Sequence, residues 1–227
     1  MASDFPGRPK LLKGAIVAFS SQVIAGIPRV VIFQYNPDSL TRTLRPATAS
    51  GAAVDGKSTA DARETLQVAG PPTESISMKV TLDAADQLEF PQQNPDVVLA
   101  GLHPALATME LLLYPPTTLV LANFVRAQLG ARSVTSTDVP LALLIWGVAR
   151  VVPVRITSFS ITEQAFDQLL NPIRAEVSLE MQVLTYRELE PGTIGHGASL
   201  VNHIAKEALS AVYQVKTAVE AVGQLPF

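Results

Sequence analysis

The chain has 227 residues, no cysteine and a formal net charge of −3. At roughly 100–200 residues per domain this is one large domain, or one domain with an appendage. The charge balance offers no nucleic-acid footprint, and the lack of cysteine excludes disulfides and thiol chemistry and suits a reducing compartment.

Charged residues are 16% of the chain, against about 25% in ordinary globular domains. Mean hydropathy is +0.27. Apolar surface left wet is an association liability, so a surface this poor in charge is expected to be covered by partners. No run reaches the ~18 apolar residues of a membrane-spanning helix, so no membrane insertion is expected. Arg8, Lys10 and Lys13 before Gly14–Phe19 mimic a short signal sequence. Ser20, Ser21 and Gln22 interrupt it, and the segment reads as a first strand.

Lys13–Phe19 and Arg29–Tyr35 read as two early strands. The second, R-V-V-I-F-Q-Y, is nearly all apolar, which predicts cover on both faces. Asn36-Pro37-Asp38 supplies turn chemistry after it. A strand starts over Thr41–Leu44. Pro46–Thr73, rich in Ala, Ser, Gly, Thr and Pro, reads as a long mobile loop with a short strand near Thr65–Val68.

Ile76, Met78, Val80 and Leu82 alternate with polar residues, as do Val177, Leu179, Met181 and Val183. Both are half-buried strands at period two. Pro140–Leu179 reads as three strands. Within it the alternation from Val152 slips before Phe159 and Ile161, and a bulge near Ser158 would restore the register. Pro104–Tyr114 reads as a helix stopped by Pro115-Pro116, with His103 as its cap. Leu119–Leu129 is ambiguous and ends at Gly130. Ala198–Val222 is the longest helix candidate. Val201, Ile204, Ala208, Val212, Val215 and Val219 form its apolar stripe. The expected organisation is a β domain over 1–190, a glycine-rich linker over 191–197 and a helix within 198–227.

Catalytic patterns are weak. Asp83, Asp86 and Glu89 lack an EF-hand layout and read as a polar strand end. Glu163 and Asp167 have the residue types of a glycosidase pair, but sequence spacing sets no distance between them. His103, His196 and His203 lack zinc spacing. G-T-I-G-H-G over 192–197 is neither a dinucleotide nor a phosphate loop. No catalytic, cofactor-binding or metal-ligating residue is assigned. Trp146 beside Gly147 reads as a core anchor at a tight strand end. Arg150, Arg155 and Arg174 sit in apolar strand contexts, where arginine snorkels, pairs with carboxylates or serves an interface.

Several pieces occur in an order that periodicity does not explain. They are F-Q-Y-N-P-D-S-L (Phe33–Leu40), G-P-P-T-E-S-I-S-M-K-V-T-L-D-A-A-D-Q-L-E (Gly70–Glu89) and G-L-H-P-A-L-A-T-M-E-L-L-L-Y-P (Gly101–Pro115). W-G-V-A-R-V-V-P-V-R-I, I-T-E-Q-A-F-D and L-N-P-I-R-A-E-V follow. Together they cover most of residues 28–185, and in them the chain resembles the tube-initiator, or hub-adaptor, proteins of phage-tail-like contractile injection systems.

The resemblance implies a mainly β, α+β fold, a tail-tube-like sandwich or barrel with a flanking helix. It implies a non-enzymatic baseplate protein in a ring of six copies, with the inner-tube subunit, the spike and baseplate or sheath proteins as partners. Synthesis and assembly would be cytoplasmic, in a particle kept there, docked at a membrane or released. Phe33, Tyr35, Asn36 and Pro37 are its signature residues, with Trp146, Gly147, Arg150, Phe166, Asp167, Pro172 and Arg174 in the later pieces. Many members continue into a LysM module. Here the Ala198–Val222 helix stands in that place, with its stripe expected to dock on a neighbouring subunit or a baseplate protein. The alternatives are a main inner-tube subunit and, in another class, a carboxylate hydrolase or a small-ligand-binding β-barrel.

Overall fold

The computed structural model describes residues 12–19, 28–48, 68–115, 117–130 and 140–223. Among the described residues, seven strands form one antiparallel sheet. They are β1 (Ala15–Phe19), β2 (Arg29–Ile32), β3 (Leu40–Thr48), β4 (Val68–Asp83), β5 (Leu141–Ile145), β6 (Val151–Phe166) and β7 (Pro172–Val183). Their order across the sheet is β2-β1-β5-β6-β7-β4-β3. Between β4 and β5 come α1 (Ala85–Leu88), α2 (Pro95–Ala100), α3 (His103–Glu110) and α4 (Thr117–Gln128). The last element is α5 (Ile194–Gly223). The mainly β, α+β class stands. All seven strands belong to one sheet, and the buried side chains form one core cluster among the described residues.

Period-two alternation sets the core. Ile76, Met78, Val80 and Leu82 of β4 lie opposite Met181, Leu179, Val177 and Ala175 of β7, and all eight are buried. Cross-strand apolar pairs of this kind are the unit of sheet stabilisation. β6 carries the register shift foreseen near Ser158: it falls between Ile156 and Ser158. Phe159 and Ile161 therefore come round to face Leu179 and Val177. β6 also joins the two halves of the sheet, since Val151–Val154 pair with β5 while Val154–Phe166 pair with β7. Ile16, Ala18, Ala142 and Leu144 complete the same core, together with Val97, Leu102, Leu106, Met109 and Leu112 from the α2–α3 region.

Several expectations are corrected. β2 ends at Ile32, and Val30 and Ile32 are exposed, so its apolar run reflects an edge strand with one open face rather than cover on both. β3 runs on to Thr48 and β4 begins at Val68, so strand takes both ends of the expected 46–73 loop. Residues 49–67 lie outside the described residues. The Leu119–Leu129 region is helical in α4, and Gly130 follows with φ 77°. His103 is the first residue of α3, whose N-cap is Leu102 without a side-chain cap bond. The 191–197 linker is cut short, because α5 already starts at Ile194. Gly195 is buried there, where a Cβ would come within 2.8 Å of Leu141. The small residue lets the first turn of α5 sit on β5.

Candidate assembly interface

The F-Q-Y-N segment is a clasp between distant parts of the chain. Phe33 is fully buried and packs on Trp146 with ring centroids 6.4 Å apart. Its amide donates to the Gly14 carbonyl at 2.9 Å. Gln34 accepts from the Asp83 amide and donates to the Asp83 carbonyl, which ties the end of β2 to the end of β4. The Asn36 side chain accepts from the Gly14 amide and donates to the Leu12 carbonyl. The Tyr35 hydroxyl donates to Asp86 at 3.0 Å. That hydrogen bond, with burial and the Asp86 charge, raises the Tyr35 pKa. Pro37 lines a surface depression of about 490 Å³ with Tyr35, Lys79, Asp83, Arg174 and Glu176. Phe33 and Asn36 thus tie the segment after β2 to the chain just before β1, and Gln34 ties it to the end of β4. Gln34 was not singled out from sequence, because its partner lies 49 residues away.

Trp146 is an anchor on Phe33, as expected. Gly147, at φ 72°, turns the chain into β6, closed by the Trp146 amide donating to the Arg150 carbonyl. Arg155 donates to Gln182 at 2.9 Å rather than to a carboxylate. Arg174 projects from β7 opposite Asp83 and Gln164.

The β6–β7 turn displays apolar side chains. Asp167 accepts hydrogen bonds from the Leu169 and Asn171 amides and from the Asn171 side chain. The Asn171 side-chain bond is the first cause holding its carboxyl below the usual range. Leu170 is held at φ 63°, a region that costs a non-glycine residue about 1–3 kcal/mol. Leu169 and Leu170 are 75% and 76% exposed, and Phe166 is exposed beside them. Asn171 also bonds the carbonyl of Leu99, another exposed leucine. Pro172 is buried, and its carbonyl accepts from the Leu102 amide. The leucines escaped the sequence reading. The signal was an apolar pair inside turn chemistry, D-Q-L-L-N. α4 is similarly wet: Leu121, Phe124 and Val125 are exposed, as is Leu129 just after it.

β6, β7, β4 and β3 form a four-stranded unit with two contrasting faces. The inner face is core. The outer face carries Ser160, Thr162 and Gln164 from β6 and Glu176, Ser178 and Glu180 from β7. It continues with Ser75, Ser77, Lys79 and Thr81 of β4 and Thr41 and Thr43 of β3. Lys79 and Glu176 pair across it at 2.8 Å. Among the described residues β3 has no neighbour beyond β4, and β6 has none on its β5 side after Val154. The unit therefore ends in two main-chain edges that no described strand pairs.

α5 meets the sheet at a charged contact on Glu74. Glu74 is 6% exposed, accepts from Arg42 of β3 at 2.7 Å, and accepts from Lys206 of α5 at 3.0 Å. Burial pushes its carboxyl up, but the hydrogen bonds and charges of Arg42 and Lys206 outweigh this and leave its pKa lowered. A carboxylate whose pKa is depressed by folding contributes stability above its unfolded pKa, about 4.3, and loses it as pH falls through the folded value. Glu74→Gln is expected to cost roughly 1–2 kcal/mol at pH 7. The difference from wild type should close on acidification below the folded pKa. Urea unfolding at pH 7 and pH 3 checks this, and a constant gap between the two proteins would contradict it.

Glu163 sits on β6 opposite Ala175. His203 pairs within α5 with Glu207 at 3.2 Å. Among the described residues no three His, Cys, Asp or Glu converge as a metal cluster would, and no helix is long and apolar enough to cross a membrane. Neither the scan of protein-family models nor the search of curated proteins returns a match.

Proposed function

We propose that this chain is a structural, non-enzymatic subunit of a contractile injection system baseplate. Six copies form a ring that joins the spike to the inner tube and templates the tube's first layer. The observation that carries the reading is the four-stranded unit with an edge at each end that no described strand pairs, β3 on one side and β6 on the other. Such edges are templates for pairing with another chain. Because the two differ, pairing β6 of one copy with β3 of the next is heterologous, and a heterologous contact whose rotation closes generates a ring. The Ser- and Thr-rich outer face then forms a continuous polar wall. The ordered sequence pieces supply the family, and the exposed leucines at 99, 169 and 170 supply surface for spike or tube partners.

The carboxylate-hydrolase alternative gains nothing from the site. Asp167 spends its oxygens on the β6–β7 turn, and Asp86 accepts the Tyr35 hydroxyl.

The edge is testable by charge. Ser160→Lys with Thr162→Lys places two cations on the outer face of β6, beside the edge that would meet the next copy's β3. Lysines on edge strands block sheet addition. The double variant is expected to fold with wild-type circular dichroism and to remain unassembled at concentrations where wild type forms rings by light scattering. Rings of normal size from the variant would overturn strand pairing as the ring contact.

A further inference from the structure

The core-facing side of the sheet ends in charge. Along β4 the buried row Leu82, Val80, Met78 and Ile76 continues into Glu74, and Arg42 of β3 lies opposite Ile76 on the same side. α5 reaches this end through Lys206. Its apolar stripe stays open: Val201, Ile204, Ala208, Val212 and Val215 are exposed, and the side chain of Val219 lies outside the described residues. Between helix and sheet lies a cleft of about 570 Å³. It is lined by Arg42 and Glu74 from the sheet, Trp146 and Arg150 from the β5–β6 turn, and Lys206 and Tyr213 from α5.

The charge in this cleft is unbalanced. Three cations and one carboxylate line it, in a chain whose net charge is −3. Both oxygens of Glu74 are engaged, one by Arg42 Nε and the other by Lys206 Nζ. Arg42 thus keeps its paired Nη groups, the fork that grips a carboxylate with two hydrogen bonds. Arg150 is half-buried, and among the described residues its guanidinium has no hydrogen-bond or ion-pair partner. The Trp146 amide holds the Arg150 carbonyl across Gly147, at φ 72°, so one tight turn brings indole and guanidinium to the cleft together. A partly desolvated cation without a counter-charge is stabilised by an arriving anion.

The walls also indicate what carries the anion. Trp146 and Tyr213 set aromatic surface beside the cations, which a hydrated inorganic ion would leave unused. Leu209 and Tyr213 on the helical wall are 61% and 70% exposed. Pockets for free small molecules bury about 70–90% of the ligand, and a wall this open does not enclose one. Cations spaced among rings in an open cleft fit a chain segment that alternates carboxylates with apolar side chains.

We propose that the cleft between α5 and the sheet binds an acidic peptide segment of a partner protein. Its carboxylates meet Arg150 and Arg42, and its apolar side chains meet Trp146, Leu209 and Tyr213. This inference does not rest on the ring reading. The cleft uses side chains on the core-facing side of the sheet, whereas the ring uses main-chain edges of β3 and β6.

Trp146 is the only tryptophan in the chain, so its fluorescence reports occupancy of the cleft directly. The probe is a peptide in which glutamate alternates with phenylalanine and leucine, titrated into the full chain. The same peptide with lysine for glutamate is the control. The acidic peptide is expected to change Trp146 emission saturably, with a midpoint below about 1 mM, and added salt should weaken it. The lysine peptide should leave the emission unchanged. Arg150→Ala removes no described side-chain bond, so its circular-dichroism melt should match wild type while peptide binding weakens at least about tenfold. No saturable change, an equal response to the lysine peptide, or wild-type binding by R150A would overturn the site. Free glutamate or phenylpropionate binding as tightly as the peptide would show a small-anion pocket and overturn the peptide assignment.

Discussion

Phe33→Ala is expected to be among the most damaging single substitutions in the chain, costing about 3–5 kcal/mol. Phe33 is 1% exposed, and its ring is the contact between the end of β2 and Trp146 after β5. The site has little freedom to collapse. A Cβ on Gly14 would already lie 2.8 Å from both rings, so the neighbouring backbone fits them closely. Losing the ring leaves a cavity beside Trp146. It also weakens the platform from which Gln34 and Asn36 reach Asp83, Gly14 and Leu12. For a chain of this size the melting temperature should fall by roughly 6–20 °C. Differential scanning calorimetry with urea titration checks the value. A loss under 1 kcal/mol would show that the clasp is held by its hydrogen bonds alone.

Gly101→Ala should be nearly as costly, for a backbone reason. Gly101 ends α2 at φ 55° and ψ −132°, a conformation that only glycine adopts without strain. An added Cβ would lie 2.5 Å from the Pro172 carbonyl oxygen and 3.0 Å from the Asn171 Cβ. The same carbonyl accepts from the Leu102 amide at 2.9 Å, so the chain cannot step aside without breaking that bond. Strain and overlap together should cost roughly 3 kcal/mol or more. The damage should concentrate where α2 meets the β6–β7 turn. Hydrogen exchange at Leu169–Asn171 and Leu102 is expected to speed up well before exchange in β4 or β7. Wild-type exchange at Leu102 would contradict the proposed tie.

The alternation in β4 and β7 was legible because period two survives in the residues themselves, and the slip before Phe159 placed the β6 bulge. Hydrophobic run length misled in β2. R-V-V-I has the composition of a doubly covered strand, yet it lies at the sheet edge with Val30 and Ile32 open. Composition does not say which strand comes last. α1 and α2, four and six residues long, are too short to develop a helical period. The Arg42–Glu74–Lys206 meeting was invisible for another reason. Lys206 lies 132 residues from Glu74, and no local pattern announces a contact at that distance. The C-terminal stripe was legible residue by residue, but not its orientation, which depends on which side Lys206 pulls toward the sheet.

The central claim is six copies in one ring at the end of a tube. Its most direct test is quantitative mass spectrometry of phage-tail-like particles captured through a tag on this chain, with negative-stain imaging of the same sample. The account predicts sheath, tube and spike proteins on rod-shaped particles, with this chain at about six copies per particle while the tube subunit is many-fold more abundant. Tube-like abundance of this chain would make it the tube subunit. Capture of the chain without particles would contradict the baseplate reading altogether.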